Sequence, residues 1–229
     1  MLAADEIHVW QIRLPDDGVT SPGLSACLSR EEAERAARFV FDRDRARFTV
    51  AHAALRDILA GYTGSSPDGL VLVSHEHGKP YVQNYPGVRF NLSHSGSWAM
   101  LAVAREREVG VDIEVNRGER PTQGIAERFF APAEVAELMS TPEEHRVAAF
   151  FACWSRKEAY IKARGEGLRI PLDSFEVSLG EPATLRKAAD RERWTMCALP
   201  APPDYAAALV GEGSGWRVKQ LDWPSHPGI

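Results

Sequence analysis

Cysteine is scarce in this chain. Cys27, Cys153 and Cys197 are its only three in 229 residues, an odd number with no pair at metal-ligand spacing, which argues against a disulfide framework or a cysteine-built zinc site. Cys153 lies in an apolar run and reads as a buried free thiol, and such sparse usage fits a reducing compartment, so a cytoplasmic location is expected. Long hydrophobic runs are missing too: none approaches the roughly 20 residues that cross a bilayer. The amino terminus has no basic segment followed by an apolar one, so neither a membrane span nor a signal peptide is expected. The sequon Asn91-Leu92-Ser93 is accordingly read as chance. Positive charge is not in excess, since 27 Lys and Arg stand against 32 Asp and Glu for a net charge of -5, which gives no reason to expect a nucleic-acid partner. Repeats, low-complexity tracts and long linkers are absent. The remainder, 44% hydrophobic and 26% charged, is an ordinary globular composition, long enough for one large domain or two small ones.

Periodicity sets the expected element order. His8 to Leu14 alternates as a strand, and Ser29-Arg30-Glu31-Glu32 is a capping-box pattern opening a helix to about Phe39. Asp42 is expected to cap a second helix that stops at Gly61. Leu70 to Ser74 reads as a strand and His75 to Pro80 as a turn, whose His75-Glu76-His77 is too short of further ligands for zinc. Val88–Leu92, Trp98–Ala104 and Val109–Val115 read as three closely connected strands, and Thr122–Phe130 as a helix. A second capping box at Thr141-Pro142-Glu143-Glu144, with Pro142 at the first helical position, opens a long helix to Gly165. Strands are expected at 175–179, 194–199, 205–210 and 216–221, with a loose tail from Pro224. The order predicts an α+β fold of two similar α/β halves, 1–106 and 107–229.

Two acidic motifs carry most of the chemical information. In Gly110-Val111-Asp112-Ile113-Glu114 the two carboxylates are two residues apart on a strand and share a face. In Trp154-Ser155-Arg156-Lys157-Glu158-Ala159-Tyr160-Ile161-Lys162, Glu158 and Lys162 are four apart on a helix and share a face as well. Separately these read as a solvated strand face and an ordinary helical ion pair. If the faces meet, three carboxylates and an ammonium form a site for a hard divalent cation beside phosphate. The turn Asn91-Leu92-Ser93-His94-Ser95-Gly96 supplies hydroxyls, an imidazole and backbone amides suited to phosphate oxygens. Ser93 beside His94 does not read as a nucleophile and base, because neighbouring strand residues point to opposite faces. Lys79 is a placed cation, and Arg35, Arg38, Arg43, Arg45 and Arg47 form a basic group that reads equally as a phosphate site or as a solvated face balanced by acids.

In this order and spacing the motifs resemble the 4′-phosphopantetheinyl transferases of the surfactin-synthetase-activator type. The likeness runs through Leu28-Ser29-Arg30, Phe39 with Asp42–Arg47, Gly78-Lys79-Pro80, Phe90–Gly96, Gly110–Glu114, Arg128-Phe129-Phe130, Trp154–Lys162, Gly165-x-Gly167-Leu168 and Pro171–Phe175. The resemblance implies a monomeric pseudo-dimer with coenzyme A between the halves. It implies Mg²⁺ as cofactor, held by Asp112, Glu114 and Glu158, with Glu134 as a possible additional acid. It also implies coenzyme A contacts from Arg47, Lys79, Ser93, His94 and Lys162. Glu158 and Lys162 would be the catalytic pair, Glu158 (or Glu134) taking the proton of the attacking serine. The partners implied are apo carrier-protein domains of polyketide, nonribosomal peptide or fatty acid synthases, docked on the Thr122–Ser140 region, where Ile125, Phe129, Phe130, Val135, Leu138 and Met139 read as either docking face or core. One departure stands out, since Glu32 and Arg35 occupy positions where the family has two lysines. Alternatives of other classes are a non-catalytic coenzyme A or carrier-binding module and a different Mg²⁺-dependent phosphotransferase.

Overall fold

A computed structural model describes residues 2–21, 23–116 and 122–224; the expected loose tail, from 225 on, lies outside the described residues. In chain order the elements are β1 (Glu6–Arg13), α1 (Arg30–Ala37), α2 (Asp42–Thr63), β2 (Leu72–Ser74), β3 (Pro80–Val82), β4 (Val88–Ser95), β5 (Trp98–Arg105), β6 (Val109–Val115), α3 (Thr122–Phe129), α4 (Pro132–Ser140), α5 (Glu143–Arg164), β7 (Glu176–Val177), β8 (Leu185–Lys187), β9 (Trp194–Ala198), β10 (Tyr205–Glu212) and β11 (Arg217–Asp222), with short 3₁₀ turns between some of them. The fold is mixed α+β.

Two sheets form the centre. The first has the order β11-β1-β5-β4 and the second β6-β10-β9. Strand alternation gives each sheet two apolar faces. Ile12, Phe90, Leu101 and Val103 of the first sheet pack under α2 with Val50, Ala54 and Leu59. Its other face, with Ile7, Val9, Met100 and Ala102, meets Val109, Val111, Ile113 and Leu209 of the second sheet. The far face of the second sheet, including Ala208 and Val210, packs under α5. The layers therefore run helix, sheet, sheet, helix. The last strand, β11, returns from the second half of the chain to pair in parallel with β1.

Several helix boundaries differ from the expectation. α2 continues through Gly61 to Gly64, whose left-handed φ of 73° forms the cap. Burial of Ile58, Leu59 and Ala60 outweighs the roughly 1 kcal/mol that a glycine costs inside a helix. Asp42 is the first helical residue, and Phe41 takes the cap position. The first capping box forms as expected, Ser29 and Glu32 each accepting the other's backbone N–H. The second does not: Pro142 is itself the cap residue, and the Thr141 hydroxyl turns back to donate to the Glu137 carbonyl at 3.0 Å. The short strands β3 and β8 and the helix α4 have no counterpart in the sequence reading.

Candidate active site

β4 and β6 are the neighbouring edges of the two sheets. They are joined by side chains rather than by a backbone ladder. Asn91 Oδ1 accepts from the N–H of Val111 at 2.9 Å, Ser93 Oγ from that of Ile113 at 3.4 Å, and Ser95 Oγ from that of Val115 at 3.2 Å. The serines use their protons on the acidic motif. Ser93 donates to Asp112 Oδ1 at 2.8 Å and Ser95 to Glu114 Oε2 at 2.7 Å. Two-residue alternation on both strands thus aligns two hydroxyls with two carboxylates.

α5 covers the same face of β6. Gly110 makes this possible, because a Cβ there would sit 2.2 Å from the Ala159 carbonyl oxygen and 2.3 Å from the Ala163 nitrogen. With helix and strand in backbone contact, Lys162 Nζ lies 2.6 Å from Asp112 Oδ1 and 2.9 Å from Ser93 Oγ. The small residues Ala206 and Ala208 pair with Glu114 and Asp112 across β10. Burial raises the pKa of Glu158 to about 7, and the negative charges of Asp112 and then Glu114 add to the rise, against Lys162. The two motifs, each with its charged pair on one face, meet through Lys162 and Asp112.

Asp112 is 2% exposed. Its Oδ1 is satisfied by Ser93 and Lys162, while its buried Oδ2 has no hydrogen-bond partner among the described residues. Buried carboxylate oxygens are rarely left so. Among the described residues no three His, Cys, Asp or Glu side chains are already gathered to hold a metal. The donor chemistry nevertheless fits a hard cation: an all-oxygen set, one orphaned lone-pair site, and a neighbouring carboxylate whose raised pKa reflects crowded negative charge.

The expected nucleotide contacts are placed unevenly. Ser93 is buried at the centre of the site, and His94 is exposed at its edge. Its pKa is lowered, first by partial desolvation and then by the positive charges of Lys162, His52, Arg35 and Arg47. The ring is thus partly exposed, with positive charge on its protein side. Arg35 lies over the Phe48 ring, and Phe48 stacks on His52 at 4.0 Å. Arg47 is held by Asp16 at 2.6 Å and by the Pro15 carbonyl.

Two expected site residues are committed elsewhere. Lys79 Nζ donates to Glu108 Oε2 at 2.6 Å and to the carbonyls of Val109 and Ala163 at 3.0 and 2.9 Å. Its three protons are spent tying β6 to the end of α5, and its pKa is lowered by burial. Glu134 is 1% exposed in the core between α4, α5 and β7. Its Oε1 accepts from Val177 N at 2.7 Å, and its Oε2 accepts from Ala131 N and faces Lys157 Nζ at 2.7 Å. Both oxygens are taken, so Glu134 is a clamp within the second half rather than an acid offered to a metal.

Glu32, where the family has lysine, also has a structural explanation. It binds His52 and the 2% exposed Arg56, and these partners with the Ser29 cap outweigh desolvation to lower its pKa to about 2. Arg156 and Lys157 were not singled out by the sequence reading. Arg156 grips the carbonyls of Ser178 and Gly180, and Lys157 those of Leu172 and Phe175. A signal existed, in two cations on the apolar side of a helix, which need buried partners. In the Thr122–Ser140 region, Phe130 and Leu138 are core, Ile125, Val135 and Met139 pack against it, and Phe129 is 37% exposed. No described helix is long and apolar enough to cross a membrane.

Comparison with known proteins identifies the family. Residues 22–106 match the family model described as 4′-phosphopantetheinyl transferase, N-terminal, and residues 108–210 match that of the 4′-phosphopantetheinyl transferase superfamily. The 4′-phosphopantetheinyl transferase HetI of a Nostoc species is 38% identical over 223 residues, covering 95% of this chain and 92% of its own. The chain belongs to the 4′-phosphopantetheinyl transferase family. A transferase of Bacillus subtilis is 33% identical over 81% of this chain and 88% of its own length, and Sfp of the same species is 32% identical over 66% of each. For this phosphopantetheinyl transferase, the seam between β4 and β6 and the adjoining turn of α5 are therefore the candidate catalytic centre.

Proposed function

We propose that the cluster of Asp112, Glu114, Glu158 and Lys162 transfers 4′-phosphopantetheine from coenzyme A to a serine of an apo carrier protein, releasing adenosine 3′,5′-bisphosphate. The observation that carries this reading is the unpartnered, buried Oδ2 of Asp112 beside a carboxyl group with a pKa near 7. Asp112, Glu114 and Glu158 would hold Mg²⁺, which when bound supplies charge neutralisation to the pyrophosphate. Lys162, anchored on Asp112 and Ser93, presents its ammonium to the charge that builds on the phosphoryl oxygens. Glu158 accepts the serine proton, directly or through a water, as the carboxylate that α5 carries beside Asp112 and one turn before Lys162; its pKa near 7 belongs to the metal-free site. Glu134, the other candidate base, has both oxygens engaged. Arg47 and Arg35 supply positive charge at the rim for the nucleotide's terminal phosphate, with the His94 ring, whose pKa is lowered, beside them as a hydrogen-bonding group, and Ser93 links that rim to the carboxylates.

The same reading extends to the architecture. The two sheets on either side of the β4–β6 seam support a pseudo-dimer of halves 1–106 and 107–229, with β11 returning to the first half. Two halves within one chain favour a monomer, and the sparse cysteines a cytoplasmic location, for a protein that docks a carrier domain of a polyketide, nonribosomal peptide or fatty acid synthase.

The test is to incubate the protein with coenzyme A, Mg²⁺ and a panel of apo carrier proteins, and to weigh the carriers by mass spectrometry. A gain of one phosphopantetheine, lost with chelator and in Asp112→Ala, is expected. Coenzyme A binding with no carrier modified would favour a non-catalytic module instead, and metal-dependent transfer by Asp112→Ala at the wild-type rate would remove the site assignment.

A further inference from the structure

A cavity of about 670 Å³ bounded by described residues lies away from the carboxylate cluster. It lies against the first sheet, between the C-terminal half of α2, the edge of β11 and the turn that follows β5. That volume is within the usual range of small-molecule sites.

Four aromatic side chains line it: Trp10, Tyr62, Tyr85 and Trp223. Their polar ends are engaged by protein. Trp10 Nε1 donates to the Tyr62 hydroxyl at 2.9 Å, and Tyr62 O–H lies 2.6 Å from His8 Nδ1. His8 Nε2 in turn faces Glu6 Oε2 at 3.3 Å, so both ring nitrogens have protein partners. Trp223 Nε1 donates to Asp57 Oδ2 at 2.8 Å, and the Tyr85 oxygen accepts from Ser65 at 3.0 Å. What these rings offer the cavity is therefore mainly π-surface. Two carboxylates, Asp57 and Glu106, and one guanidinium, Arg105, also line it, and among the described residues none of the three is in an ion pair. The lining is thus net acidic.

From this lining we infer that the cavity is a second binding site, separate from the transfer centre, for an organic cation with an apolar or aromatic body. Aromatic faces attract cations through the ring quadrupole, most strongly when water is excluded, and the excess carboxylate charge acts in the same direction. An anionic ligand would meet two carboxylates for one guanidinium, and a neutral polar ligand would find most of the ring donors already engaged.

Gly61 permits a clean test. It lines the cavity within α2, and a Cβ placed there meets nothing within 4 Å. Gly61→Leu fills the space while improving helix propensity, so the fold and carrier modification are kept. Trp10 and Trp223 report occupancy through their indole N–H signals in nitrogen-15 NMR spectra. The probes are phenyltrimethylammonium, its neutral carbon isostere tert-butylbenzene, and benzoate. The cation is expected to shift both indole signals and to bind at least about tenfold tighter than the isostere. Gly61→Leu should abolish its binding, Glu106→Gln should weaken it severalfold, and benzoate should leave both signals in place. The proposal is overturned if the isostere or benzoate binds as well as the cation, if the cation binds Gly61→Leu unchanged, or if it shifts neither indole signal.

Discussion

Substituting Gly110→Ala tests whether the transfer centre depends on backbone contact between α5 and β6. A Cβ at position 110 would stand 2.2 Å from the Ala159 oxygen and 2.3 Å from the Ala163 nitrogen, where ordinary contact begins near 3.4 Å. Strand and helix must part by about 1 Å to relieve this, and because the atoms met are backbone, trimming a side chain on α5 does not help. Overpacking of this kind costs about 1–3 kcal/mol, equivalent to a Tm lowered by roughly 2–12 °C for a protein of this size. The larger effect falls on chemistry. Glu158 and Lys162 ride on α5 and Asp112 on β6, so the same displacement opens the site, and a misplacement of about 1 Å costs on the order of 100-fold in rate. The assay pairs a thermal melt with the initial rate of carrier modification, measured at saturating Mg²⁺ and well below the melting transition. A variant that keeps its transfer rate within twofold of wild type would refute the contact as the determinant of site geometry, whatever its Tm.

Three further outcomes are expected. The pKa of Glu158 is raised from 4.5 to about 7, so the folded state holds the extra proton and metal-free stability falls as pH rises from about 4.5 to 7; Glu158→Gln should remove this slope, gaining about 1–3 kcal/mol on wild type between pH 5 and pH 8 in urea titrations with chelator, and parallel pH profiles would count against the shift. Lys162→Met should lower kcat for carrier modification by about 100- to 1000-fold with a small change in Tm, whereas a rise in KM for coenzyme A at unchanged kcat would make Lys162 a ground-state binding residue. Glu134→Ala strands the buried Lys157 and should cost about 3–5 kcal/mol in urea unfolding; an intact fold with only the transfer rate lost would return Glu134 to the reaction.

Much of the site is legible in the sequence because it rests on strict local periodicity. Asp112 and Glu114 share a face through the strand repeat of two, and Glu158 and Lys162 through the helical spacing of four. Local periodicity does not say what lies opposite a face, and this is where the reading departs from the structure. Lys79 reads as a placed cation in a turn, suited to phosphate, yet the end of α5, more than eighty residues away, closes over it with a carbonyl. Glu134 follows an aromatic motif, but its partners lie on α5 and β7. The fold is legible to a similar degree: the long strands and helices follow from alternation and capping, while β3 and β8 have three residues each, too few for a repeat to show, and α4 opens on Ala131-Pro132 with no side-chain cap from Ala131. The passage of β11 into the first sheet depends on a parallel pairing between residues some 200 positions apart, which no local pattern encodes.

The seam between the sheets explains why polar residues alternate along β4. An exposed strand edge presents unpaired N–H groups, and a buried one must satisfy them. Here the edge N–H groups of Val111, Ile113 and Val115 are met by Asn91, Ser93 and Ser95. A backbone ladder would serve that need equally well, but each backbone carbonyl would bring no proton for the carboxylates. A serine hydroxyl accepts from the strand and donates onward in one atom. Ser93 and Ser95 can therefore close the edge of the second sheet and orient Asp112 and Glu114 at the same time. The joint between the sheets and the orientation of the proposed metal ligands are thus a single hydrogen-bond system, so a change that loosens the joint will also turn the carboxylates.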